Sequence, residues 1–163
     1  MTERNQPAFD GTRVEELWSI FPEESSCSAD GALEIGGVSV TALAEEFGTP
    51  LHIIDEEGLR RQARRFSDGL AERWPNSQVL FASKSLPIVA MYKLAAEEGL
   101  AIDIAGGGEL QLALAAGVDP QLLHFHGNAK TDAELKMALD AGIGTIIVDN
   151  NDELDRLERL LER

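Results

Sequence analysis

Short apolar runs alternate with longer segments of helical period from Leu51 onward, and no other feature restricts the fold as strongly. The runs are LHIID from Leu51, QVLFAS from Gln78, AIDIA from Ala101, LLHFH from Leu122 and GTIIVD from Gly144, so their starts lie 21 to 27 residues apart. Between and after them, EEGLRRQARRFSDGLAERW, LPIVAMYKLAAEEG, GGELQLALAAG, TDAELKMALDAG and NDELDRLERLLER bring apolar residues back every three or four positions. Strand-sized runs joined by helix-sized segments make βα units and a parallel sheet. Gly117 and Gly142 stand where helices close, and Thr131 and Asn151 where helices start.

Five such units fit two architectures: an open doubly wound sheet, or the first five eighths of a barrel that closes with eight strands. Two details lean toward the barrel. Chemically distinctive residues end several successive strands, and no GxGxxG or Walker loop follows the first strand. The expected fold is α/β, a partial (β/α)8 TIM-type barrel, with residues 49–163 as its incomplete barrel domain. Residues 1–48 read differently. Up to about Asp30 there is no sustained period, only anchors at Trp18, Ile20, Phe21 and Pro22, which suggests a docking arm. ALEIGGVSV then suggests short strands about a Gly36-Gly37 turn, and TALAEEFG a short helix ending at Gly48.

Composition excludes several classes of function. A formal charge of −15 repels nucleic-acid phosphates and anionic membranes, and no basic stripe overrides it. No stretch reaches the roughly 18 unbroken apolar residues of a membrane span, and the start resembles no secretory signal, so a cytoplasmic protein is expected. The single cysteine, Cys27, has no Cys or His cluster near it, which leaves neither a disulfide within the chain nor a cysteine-based metal site.

Among chemistry-bearing residues, Asp103 lies in AIDIA between Ile102 and Ile104. Alternation turns it away from them, toward a barrel interior where a carboxylate needs a partner. By the same alternation Leu80, Ala82 and Lys84 share a face, which would aim Lys84 inward and make it a candidate partner. A lone lysine or aspartate at a strand end is also an ordinary solvated residue. In AGGGEL, consecutive glycines allow a tight βα turn or a backbone nest for an anion, with Glu109 opening the next helix. HFHGNAKT puts His126, Asn128 and Lys130 at the same end, whereas His52 and His124, within strands, read as packing residues.

Taken together, GTPLHIIDE, FASKSLP, IDIAGGGEL, HFHGNAKT and IIVDNNDEL resemble, in order and spacing, the amino-terminal half of the diaminopimelate decarboxylase family. These are pyridoxal-phosphate decarboxylases on an alanine-racemase-like barrel. The resemblance runs from about Gly37 onward, and the preceding segment fits the family's amino-terminal extension, which gives a strand to a second β domain. It implies pyridoxal 5′-phosphate as cofactor, carried as a Schiff base on Lys84, with Ser85 standing where alanine is usual. It implies Asp103 and Glu109 as carboxylates near lysine and cofactor, and His126, Gly127, Asn128 and Lys130 as an H-G-N-x-K motif at the site's rim.

The reaction implied is decarboxylation of meso-diaminopimelate to lysine, in lysine biosynthesis, by a homodimer in the full-length family. Ornithine, arginine or carboxynorspermidine decarboxylases share the fold. The family's phosphate-binding loop, ring-stacking histidine and carboxy-terminal β domain have no counterpart here. The chain is therefore expected to be a fragment that does not decarboxylate alone. A different class, a non-catalytic five-strand module, would want acids after strand one, where Asp55 and Glu56 lie, and a lysine after strand five, where Asp149 lies instead.

Overall fold

The computed structural model describes residues 18–29 and 31–162. It divides into two compact units, Met1–Gln62 and Ala63–Arg163. Most of the expected docking arm, residues 1–17 and 30, lies outside the described residues.

In the first unit a three-stranded antiparallel sheet runs in the order β1 (Ser26–Cys27), β2 (Leu33–Ile35), β3 (Val38–Ser39). Ile35 faces Val38 across β2 and β3, so Gly36 and Gly37 alone make the turn, with φ of 57° and 77°. A two-residue hairpin loop with both central residues at positive φ matches the twist of its strands, and glycine takes that conformation without strain. Helix α1 (Val40–Phe47) follows and stops at Gly48. Cys27 is a half-buried free thiol.

One expectation fails in this unit. Leu51 to Asp55 forms no strand. Its apolar pattern suits a strand, but a strand exists only through its ladder, and the segment has none with the described residues. Asp55 Oδ1 instead accepts from the Gly58 amide at 3.1 Å, and helix α2 (Glu56–Ala71) begins directly after it.

The second unit carries the other four runs as strands. Elements β4 (Leu80–Ala82), α3 (Val89–Glu97), β5 (Ala101–Ile104), α4 (Gly107–Ala115), β6 (Leu123–Phe125), α5 (Asp132–Ala141), β7 (Thr145–Ile146) and α6 (Asn151–Leu161) alternate along the chain. The strands pair in parallel, in sequence order. Register places Phe81 beside Ile102 and Leu123, and Ile104 beside Phe125 and Ile146, on one face. On that face Tyr92 and Ala95 of α3, Leu110 and Ala113 of α4, and Ala138 of α5 close a core around Ile102, Ile104, Leu123 and Phe125, all four fully buried. Burying each such large side chain contributes about 1.5–3 kcal/mol.

The opposite face carries Leu80, Ala82, Asp103, His124 and Thr145, and all of them keep exposed surface. Helices thus cover one face of this sheet. His124 is half-buried on the open face, where Nε2 meets Gln78 Oε1 at 3.2 Å, and His52 is exposed, so neither is the core residue expected. Helix α5 starts on a reciprocal cap in which Thr131 Oγ1 accepts from the Glu134 amide and Glu134 accepts from the Thr131 amide. It closes at Gly142 in the left-handed conformation, φ 67°. Among the described residues no helix is long and apolar enough to cross a membrane.

Candidate functional site

The chemistry-bearing residues gather at the C-terminal ends of β4, β5 and β6. Asp103 is the penultimate residue of β5 and lies on its uncovered face. His126 follows β6 directly, and its amide extends the ladder by donating to Ile104 O at 2.9 Å. The two adjacent strand ends bring His126 Nε2 to 3.0 Å from Asp103 Oδ2, with the side chains 32% and 24% exposed. Each group therefore keeps one side toward solvent or a ligand. The contact is a hydrogen bond when a neutral ring carries its proton on Nε2 and an ion pair when the ring is protonated.

Lys84 is placed by a turn instead of a strand. Strand β4 stops at Ala82, and Ser83–Ser85 form a 3-10 turn in which Ser85 Oγ donates to Ala82 O at 2.8 Å. The alternation expected to carry Lys84 with Leu80 and Ala82 breaks there, and the expected Lys84–Asp103 ion pair does not form; the Asp103 carboxylate meets His126 instead. The chain has four lysines. Lys93 faces Glu97 at 3.9 Å, Lys130 faces Glu153 at 2.9 Å and Lys136 faces Asp140 at 2.6 Å. The exposed Lys84 amine has no hydrogen-bond or ion-pair partner among the described residues.

Glu109 turns back toward the strand ends. Its Oε1 accepts from Ser83 Oγ at 2.7 Å and its Oε2 from the Ala105 amide at 2.6 Å, which ties the turn bearing Lys84 to the end of β5. Behind this contact burial pushes the Tyr92 phenol above its ordinary value of 10.0; the Ser83 hydroxyl pulls the other way, and the Glu109 carboxylate adds to the rise. The AGGGEL turn is not an open anion nest. Its Gly107 amide donates to Glu134 Oε1 at 2.8 Å, and Glu134 also accepts from the Thr131 amide and hydroxyl. Those hydrogen bonds, the Thr131 amide first, hold the Glu134 carboxyl below its ordinary 4.5 against the effect of burial.

Lys130, expected at the rim, is instead buried. Its ammonium donates to Gly127 O and to Ile147 O, the latter at 2.9 Å, as well as meeting Glu153. Burial raises the Glu153 pKa, but the Asp149 amide and the Lys130 ammonium outweigh it, so the group sits below 4.5. Around these contacts His126, Gly127, Asn128, Ile147, Val148 and Asp149 line an open cavity of about 470 Å³. Sequence reasoning missed Ser83, Glu134 and Glu153. Thr131 was read as a helix start and caps α5, whereas the last start was read at Asn151 and the cap is Asn150, one residue earlier; what else Glu134 and Glu153 hold belongs to tertiary structure.

The family model described as "Pyridoxal-dependent decarboxylase, pyridoxal binding domain" matches residues 56–163. Diaminopimelate decarboxylase of Halalkalibacterium halodurans is 44% identical over 144 residues, which is 88% of this chain and 33% of the relative. The crystal structure of diaminopimelate decarboxylase from M. jannaschii in co-complex with L-lysine superposes with a TM-score of 0.77 at 28% identity, covering 86% of this chain and 33% of that one. Lysine/ornithine decarboxylase of Vibrio vulnificus complexed with putrescine superposes with a TM-score of 0.63 at 30% identity, covering 74% and 32%. The chain thus spans about a third of the length of the proteins it matches. With two thirds of its residues under that family model and its parallel βα sheet shared with those structures, the chain belongs to the pyridoxal-binding domain family of the pyridoxal-dependent decarboxylases.

Proposed function

We propose that this chain forms part of the cofactor-binding barrel wall of a decarboxylase that converts meso-diaminopimelate to lysine, with Lys84 as the residue that bonds pyridoxal 5′-phosphate covalently. The observation that carries this reading is that the turn bearing the exposed Lys84, the Asp103 carboxylate of β5 and the His126 imidazole after β6 lie at the C-terminal ends of three neighbouring strands, in a sheet with one face uncovered by helices among the described residues. Active sites of (β/α)8 barrels form at that end. The donor set suits an aldehyde-bearing ligand: an exposed primary amine, and a carboxylate and imidazole on the next two strands.

When bound, pyridoxal 5′-phosphate supplies an electron-poor ring that takes up the electron pair left as carbon dioxide departs. The chain's own residues prepare for that. Among the described residues no carboxylate holds the Lys84 amine in an ion pair, and the amine can attack a carbonyl once it has lost its proton. Glu109, through Ser83, keeps the Lys84 turn against β5, so the nucleophile starts from a fixed base. His126 Nε2 holds a proton against Asp103 and exposes its remaining edge to the rim.

In this reading residues 49–163 belong to the barrel and residues 1–48 to a second β domain. The complete enzyme works as a cytoplasmic homodimer on an amino-acid substrate. The substrate assignment rests on the relatives named above, of which one acts on lysine and ornithine by its name.

Two experiments test the proposal. The 163-residue chain is incubated with pyridoxal 5′-phosphate, reduced with borohydride and digested. The adduct is expected on Lys84 above the exposed Lys93 and Lys136, and equal labelling of the three would refute the site. For the substrate, this chain replaces the matching third of the H. halodurans relative. Release of lysine from meso-diaminopimelate is expected, and a chimera that decarboxylates ornithine in its place would overturn the assignment.

A further inference from the structure

We propose that Lys130 is a positioning residue for the rim: its ammonium holds the turn after β6 and the segment after β7 at the spacing that sets His126 against Asp103. The proposal rests on the functional reading above for the meaning of His126, but its geometry stands apart from it.

The Lys130 ammonium donates to two separate pieces of chain, Gly127 O in its own turn and Ile147 O after β7, and forms an ion pair with Glu153 Oε1, 2.9 Å away in the first turn of α6. The ring of Phe125, whose residue ends β6, lies 5.8 Å from the ammonium and adds a cation–π contact. The lysine side chain is fully buried and that of Glu153 is 4% exposed. The second Glu153 oxygen accepts from the Asp149 amide at 2.9 Å, and Arg156 donates to the Lys130 carbonyl at 2.6 Å.

Gly127, Ile147 and Asp149, which these bonds fix, are three of the six residues that line the rim cavity. Gly127 follows His126 directly. A shift of the turn moves the imidazole with it, since among the described residues the other hydrogen bonds and ion pairs of His126 are its own amide bond to Ile104 and the contact with Asp103. Stability alone does not call for this arrangement, because a buried ion pair is often replaced by packed apolar side chains at no loss. What apolar side chains do not reproduce is a set of directed bonds to two carbonyls on different loops.

That difference makes the test. The variants are Lys130→Met, Glu153→Gln and the double replacement Lys130→Met/Glu153→Leu, all in the 163-residue chain without cofactor. The measurements are the thermal midpoint, hydrogen exchange of the His126 and Ile147 amides, and the His126 ring resonances. The double variant is expected to regain the wild-type midpoint while both amides exchange at least ~10-fold faster and the ring resonances move, since local opening is read separately from global unfolding. If it regains the midpoint with wild-type exchange and ring resonances, Lys130 only packs and the proposal fails. If it does not regain the midpoint, or does not fold, the pair serves global stability and the proposal fails as well. None of these measurements involves Lys84, so a failure here leaves the trapping experiment intact, and the converse holds.

Discussion

The turns that follow β4 and β6 leave the same end of one parallel sheet, and each presents a lysine, yet they treat it in opposite ways. At Ser83–Ser85 the chain is held through its neighbours, Ser83 by Glu109 and Ser85 by the Ala82 carbonyl, and the exposed Lys84 amine has no hydrogen-bond or ion-pair partner among the described residues. At Gly127–Lys130 the ammonium itself is the fastening, sunk among two carbonyls and a carboxylate. The same side-chain chemistry is reagent in one place and bolt in the other. Burial and the number of acceptors within reach decide which.

The contrast predicts a graded series of effects. Lys130→Met leaves Glu153 buried without its counter-charge and should cost about 3–5 kcal/mol in chemical denaturation. A loss below about 1 kcal/mol would erase the distinction between the two turns.

Acid should loosen the bolted side next. The Glu134 and Glu153 carboxyls titrate below 4.5 when folded, so the unfolded chain takes up their protons first as pH falls. Their contribution is complete above the unfolded value and disappears as pH drops through the depressed folded values. Unfolding monitored between pH 5 and 2 should show a flatter acid limb for Glu134→Gln, and an unchanged limb would remove Glu134 from the account.

Thr131→Ala removes the cap of α5 and one partner of Glu134, and about 1 kcal/mol is expected in the same assay. The smallest change belongs to Lys84→Met, within about 0.5 kcal/mol of the parent chain, as for exposed residues without partners. Its borohydride-trapped adduct should nonetheless fall to the level set by Lys93 and Lys136.

How much of this was legible beforehand depended on the range of the interaction. Four of the five apolar runs became strands in the expected order, because strand and helix periods are written locally in residues such as Ile102, Ile104, Leu110 and Ala113. Leu51 to Asp55 carries as good a local pattern but no ladder, and pairing is not a property of the segment. The Gly36-Gly37 hairpin and the Thr131 cap were readable, since both are chemistry within four residues. Lys84, Asp103 and His126 were rightly placed at one end of the sheet. Their pairing was not legible, because alternation extrapolated past Ala82 gave Asp103 to Lys84, and the 3-10 turn that breaks it has no strong sequence mark. The burial of Lys130 was hidden for the same reason: Gly127, Ile147 and Glu153 converge on it from up to 23 positions away along the chain.

The closeness of Gly107 to Glu134 has a corollary for sequence drift. A β-carbon at position 107 would sit 3.1 Å from Glu134 Cγ, tighter than ordinary contact. The two positions therefore share a single allotment of space across a βα boundary. A methyl gained at 107 should be tolerated where the 134 side chain shifts by a few tenths of an ångström or has lost its γ-carbon, as in alanine, so homologues of this chain should tend to change the two positions together.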